Sequence, residues 1–189
     1  SVNISAMPNL YGRSPDMSRI DTTVDYASTN GQWTGLGSAF DDEFSTRHTG
    51  YVRIDVAGNY TFYVDSDDGS RLWIDSQLVV DNPGQHSMRE LSGTTYLNPG
   101  YHPLRLEFFE HFGWAGLHLS WESSNITKQI IPASNLFYGA GNPIRQSDLV
   151  GWWPLDETNG TNIEDLVSGQ DMTLNGTNGT TWTTCRTAY

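Results

Sequence analysis

The sequence predicts an all-β fold, an antiparallel β-sandwich, and three observations carry that prediction. Short runs alternate apolar and polar residues, turn residues separate those runs, and no long helical period appears anywhere in the chain. Runs of this length and spacing build an antiparallel sandwich or barrel. With 189 residues the chain can bury one sizeable core. Its 37% hydrophobic and 12% aromatic content marks it as globular and not disordered.

Taken in order, residues 1–50 are rich in Gly, Ser, Thr and Pro and read as irregular covering segments. YVRIDVAG (51–58) then leads through Gly58-Asn59 into NYTFYVDS, where Tyr60, Phe62 and Val64 share one face. SRLWIDSQLVVDN (70–82) reads as a hairpin turning at Asp75-Ser76. GYHPLRLEFFE (100–110) points Leu104, Leu106 and Phe108 inward. AGLHLSWES (115–123) does the same with Leu117, Leu119 and Trp121, leaving His118 and Ser120 outward. Composition shifts after Tyr138, which sets a first domain at residues 1–139, a linker at 140–147 and a β-rich segment at 148–189. That last segment, with Trp152, Trp153 and Trp182, is too short to bury its own aromatics. It is expected to lean on the first domain, on another copy in a homo-oligomer, or on further chain.

Charge narrows the partners. Twenty-two acids against ten bases give a net charge of -12, which repels phosphate backbones and argues against nucleic acid. No run approaches the roughly 20 apolar residues that cross a bilayer, so membrane insertion is not expected. The sequence starts at Ser1 without an apolar leader and reads as processed or excised. Cys185 is the single cysteine, which excludes an internal disulfide and a Cys-based zinc site. Glycosylation sequons at Asn3, Asn59, Asn125, Asn159, Asn175 and Asn178 are weak support for secretion in a chain this rich in Asn, Ser and Thr.

The stretch FYVDSDDGSRLWID (62–75) breaks the strand pattern with Asp65, Asp67, Asp68 and Gly69. Neighbouring side chains of a strand point to opposite faces, so Asp67 and Asp68 share one ion only where the backbone departs from strand geometry. The alternative is a turn in which an Asp caps backbone amides and Gly69 supplies a positive φ. An EF-hand reading fails, since Gly69 and Ser76 fall where acids are required. The five histidines show no HExxH spacing, a nucleophile elbow is absent, and Gly35-Leu36-Gly37 ends at Phe40 where a dinucleotide fingerprint needs glycine. No enzyme activity is expected, although 22 acids leave room for a glycosidase pair.

The order STNGQWTGLGSAFDDEFSTRHTGYVRIDVAGNYTFYVDSDDGSRLWID, LVVDN, SMRELSG, LNPGYHPLRLEFFE, GLHLSWE and IIPASNLFY resembles a PA-fourteen domain over roughly residues 5–138. LVGWWPLDETNGT, DMTLNGT and TTWTTCR are similar to the start of a concanavalin-like, laminin-G-like domain. The first resemblance implies an extracellular module of secreted or cell-surface proteins. In the sugar-binding flocculin branch the residues matching Asp67 and Asp68 are joined by a cis peptide and both carboxylates bind calcium. The same comparison puts Glu110 where flocculins carry an asparagine, and the carbonyls of Phe112 and Trp114 where that loop gives main-chain ligands. Carboxylate oxygens suit calcium, and three of them without a cation repel one another. His111 and Trp114, beside Phe112, are the candidate ligand-binding residues with Asp67 and Asp68, and the alternative for Trp114 is a place in the core. The cysteine-bridged insert of the flocculins is missing here.

The expected function is therefore a calcium-dependent carbohydrate-binding, adhesin-like module facing glycans or a glycoprotein surface. The alternatives are a building block of an extracellular fibre or sheath assembled through its C-terminal segment, and an accessory module of a glycosidase.

Overall fold

The computed structural model describes residues 6–138 and, beyond them, the backbone of 162–163 and 172–173. The chain divides into two compact units, Ser1–Gly139 and Ala140–Tyr189. In the second, strands β11 (Asn162–Ile163) and β12 (Met172–Thr173) pair antiparallel. The linker, the laminin-G-like reading, Cys185, the three C-terminal tryptophans and the sequons at Asn3, Asn159, Asn175 and Asn178 lie outside the described residues. No helix among the described residues is long and apolar enough to cross a membrane.

The first unit is an antiparallel β-sandwich, as predicted. Its strands are β1 (Asp25–Thr29), β2 (Phe44–Ile54), β3 (Gly58–Asp67), β4 (Ser70–Ile74) and β5 (Gln77–Asn82), followed by β6 (Arg89–Leu97), β7 (Gly100–Glu110), β8 (Ala115–Ser123), β9 (Ile126–Ile130) and β10 (Leu136–Phe137). One sheet has the order β1-β8-β3-β6, with β9 also on β8; the other runs β10-β2-β7-β4-β5. The alternation seen in the sequence becomes the core. Tyr60, Phe62 and Val64 of β3 and Leu117, Leu119 and Trp121 of β8 face Leu104, Leu106 and Phe108 of β7 and Leu72 and Ile74 of β4. Each such side chain contributes roughly 1.5–3 kcal/mol by leaving water. The β4–β5 hairpin turns at Asp75 and Ser76, both with positive φ, which is the backbone twist a two-residue hairpin loop needs.

Residues 1–50 are more than a covering. β1 and the first half of β2 lie in that region, and β2 pairs with β7 along its whole length, from Phe44 opposite Glu110 to Ile54 opposite Gly100. Between them Trp33 is buried: it stacks on Tyr26 at 4.1 Å, meets Phe44 edge-on at 5.4 Å, and its indole N–H donates to the Ala115 carbonyl at 3.1 Å. Strand β6 is a second addition to the expected set. Its residues are mostly exposed, so apolar alternation does not announce it.

Candidate metal centre

Three strands end at one edge of the sandwich and converge on the crossing from β3 to β4. The chain passes from one sheet to the other through Asp68 and Gly69, and the Asp67-Asp68 peptide is cis. Gly69 does not take a positive φ. It must be glycine for another reason: a Cβ there would lie 2.4 Å from the Phe109 ring and 2.8 Å from the Gly84 carbonyl oxygen. The crossing is packed against β7 and the β5–β6 loop, so the positive φ expected of Gly69 is corrected, whereas an Asp carboxylate does accept backbone amides here.

Asp68 is 6% exposed, and each of its carboxylate oxygens accepts one backbone N–H. Its Oδ1 accepts the His86 N–H at 2.7 Å, and its Oδ2 accepts the His111 N–H at 3.0 Å. One carboxylate thus ties the β5–β6 loop to the β7–β8 loop. The β5–β6 loop is fixed at its base by a buried polar network. Asn82 donates to Ser66 Oγ at 3.1 Å and to the Arg89 carbonyl at 2.9 Å, while Arg89 Nε donates to Asn82 Oδ1 at 2.7 Å. Neither loop's backbone donors could be read from sequence, because an N–H carries no residue signature.

Glu110, at the end of β7, is 0% exposed, and neither of its carboxylate oxygens has a hydrogen-bond partner. Oxygens of Asp67, Asp68 and Glu110 lie within 4.8 Å of one another. Burial first, then the charges of Asp68 and Asp67, push the Glu110 carboxyl up to about 8, against a smaller opposing influence of the nearby Asp68 backbone amide, which lies outside hydrogen-bond geometry. Burial and the neighbouring Asp68 charge also raise Asp67, which is partly exposed. A buried acid with two orphaned oxygens costs free energy unless a proton or a cation compensates it. The residues fit a hard dication: the three side-chain donors are carboxyl oxygens, and they converge. Among the described residues this is the single group of three or more metal-ligating side chains so placed.

The remaining expected residues surround an open depression of about 730 Å³ lined by Asp67, Asp68, His86, His111, Phe112 and Trp114 with their neighbours. Trp114 is 58% exposed and Phe112 61% exposed, so the core alternative for Trp114 is set aside. The His111 ring packs on Phe112 at 4.1 Å. His118 lies on the outer face of β8, paired with Asp25 at 2.7 Å, and takes no part in the site. Asn59 and Asn125 are exposed.

The sequence matches the PA14 domain family over residues 9–135. The chain belongs to the PA14 domain family. Within it, this chain is 37% identical over 134 residues to the anti-sigma-I factor RsgI3 of Acetivibrio thermocellus, a match covering 70% of this chain and 20% of that protein. A solved anti-sigma factor domain-containing protein aligns with a TM-score of 0.61 and 35% identity, over 65% of this chain and 42% of that one. The chain therefore spans about a fifth of the first relative and under half of the second. A PA14 sugar-binding domain from an RTX adhesin aligns at a TM-score of 0.53 and 22% identity, over 62% of this chain and 76% of that one, and shares the fold alone.

These relatives overturn the expected function. At 37% and 35% identity they are named as anti-sigma factor proteins, where a carbohydrate-binding adhesin was expected. The motifs that identify a PA14 domain build its sandwich and its crossing, and the same sandwich is carried by host proteins of unrelated function. The laminin-G-like resemblance of residues 148–189 is not supported by these matches, and the family match ends at residue 135.

Proposed function

We propose that the PA14 domain of this chain is the cation-holding recognition module of an anti-sigma-factor-type protein, displayed outside the cell. The observation that carries the cation is Glu110, buried with both oxygens unpartnered against Asp67 and Asp68. The observation that carries the setting is the similarity to anti-sigma factor proteins over most of the domain.

Calcium is the cation this donor set suits, held by the carboxylates of Asp67, Asp68 and Glu110, with backbone carbonyls of the 112–114 turn as further oxygen donors. When bound it supplies positive charge that neutralises the three acids and attracts oxygen donors of a ligand. The chain's own residues do the rest. Asp68 locks two loops together through backbone N–H groups, and Glu110 brings a fully buried carboxyl to the same three acids. Phe112 and Trp114 offer exposed ring faces at its rim. A ligand suited to this surface brings oxygen donors to the cation and an apolar face to the rings. An outside location agrees with the ion, since weak calcium sites of extracellular modules work at roughly 10⁻⁴–10⁻³ M.

The test is calorimetric titration of calcium into the metal-free 189-residue chain, paired with protease accessibility of this domain in the parent protein on intact cells. Saturable one-to-one binding that Asp68→Asn weakens by at least about tenfold is expected, together with cleavage from outside. No calcium uptake at millimolar concentration, or a domain protected in intact cells, would contradict the proposal.

A further inference from the structure

The two loops that meet at Asp68 are held in different ways. The β5–β6 loop rests on buried Asn82, with Arg89 Nη2 adding a bond to the Pro83 carbonyl at 2.8 Å. The β7–β8 turn has no such foundation. Two hydrogen bonds hold it from its outer side, and both come from the segment that leads into β2. The Glu43 N–H donates to the His111 carbonyl at 3.0 Å, and Asp42 Oδ1 accepts the Gly113 N–H at 2.8 Å. Glu43 takes a positive φ of 53° to make this approach, and Gly113 one of 107°. The next residue, Phe44, pairs in register with Glu110, so the clamp and the buried acid are braced on the same pair of strands.

From this geometry we infer that Asp42 is a positioning residue for the cation site, acting on the 111–114 turn through the Gly113 amide. The inference rests on the cation reading of Asp67, Asp68 and Glu110. Asp42 is exposed, and its carboxylate adds to the negative charge around Glu110. Charge alone would also favour a cation, so the two roles have to be separated. In the positioning role the acceptor oxygen matters: it fixes the peptide between Phe112 and Gly113, and with it the direction of the carbonyl that the turn offers. Partners that orient ligands from outside the coordination shell change metal affinity by roughly 10–100-fold when removed. An asparagine at this position keeps the acceptor and loses the charge, whereas an alanine loses both.

Calcium affinity is measured by calorimetry on the full chain for wild type, Asp42→Asn and Asp42→Ala, alongside amide hydrogen exchange of Gly113 in the calcium-free proteins. The expected result is that Asp42→Asn binds within about threefold of wild type while Asp42→Ala binds at least about tenfold more weakly. Gly113 exchange should accelerate about tenfold in the alanine variant alone, with melting temperatures of all three within a few degrees. Equal losses in both variants would assign the effect to charge and overturn the inference. Unchanged affinity in Asp42→Ala would overturn it as well. Wild-type protein that binds no calcium would remove the cation reading itself and this inference with it, an outcome visible before either variant is compared.

Discussion

Two buried glutamates stand three positions apart on β7, and their surroundings differ in one respect. Glu107 is met across the sheet by Arg47, whose Nε lies 2.9 Å from its carboxylate, and Arg105 approaches from the same strand at 3.8 Å. Glu110 is met across the sheet by Phe44 and, around the crossing, by two further acids. The first acid belongs to a finished structure: its charge is balanced by side chains the strand register places there. Among the described residues the second has no counter-charge. A buried acid whose partners are supplied from within holds a fold together, and one whose partners are missing marks a place where something from outside belongs.

The two acids are separated most strongly by pH. The Glu110 carboxyl is raised from its ordinary 4.5 to about 8, so the calcium-free native state holds a proton that the unfolded chain releases. Stability is then lost as pH rises through that window. His48 acts in the opposite sense. Burial lowers it to about 4, and its contribution to stability grows between that value and its ordinary 6.5. Above pH 6.5 the Glu110 effect stands clear, and calcium-free protein should lose about 2 kcal/mol between pH 6.5 and 8.5 in urea unfolding. Glu110→Gln should flatten that slope. A slope that persists in the variant would show that Glu110 is not its source.

Glu107→Gln sharpens the contrast from the other side. It should lower stability by about 1–2 kcal/mol at every pH in the same window, because Arg47 is left without its charge partner, and it should leave the pH slope and calcium affinity as they are. Equal effects of the two substitutions on calcium binding would erase the distinction between the two acids. The smallest effect belongs to Trp114→Ala. The ring is largely exposed, so unfolding free energy should change by less than about 0.5 kcal/mol and calcium affinity by less than about twofold. Loss of stability well beyond that would mean that Trp114 packs as a structural residue.

Much of the sandwich was legible because β3, β4, β5, β7 and β8 bury one face and show the other, which writes the period of two into the sequence. β1 and β6 escaped for the complementary reason. DYAST and RELSGTTYL carry few apolar inward positions and take their place from pairing with β8 and β3. The three acids of the site were legible as residue types that strands avoid, and the family resemblance brought Glu110 to them. Gly69 was legible as special but for a different cause, since close approach by Phe109 and Gly84 leaves the same mark in a sequence as a positive φ. The clamp from Asp42 and the amide donors of His86 and His111 were not legible. They depend on where a backbone passes, and sequence composition does not record that. The similarity to anti-sigma factor proteins was illegible too, because nothing in the crossing or the sandwich depends on the protein that carries them.

The most direct measurement is a count of the protons released when calcium binds at pH 7, from calorimetry in buffers of different ionisation enthalpy. With its carboxyl at about 8, Glu110 is mostly protonated at pH 7 and must ionise to hold the ion. Release of close to one proton per calcium is expected at pH 7, falling toward zero by about pH 9.5. Calcium binding with no proton released at pH 7 would contradict it, because Glu110 would then be ionised beforehand or uninvolved.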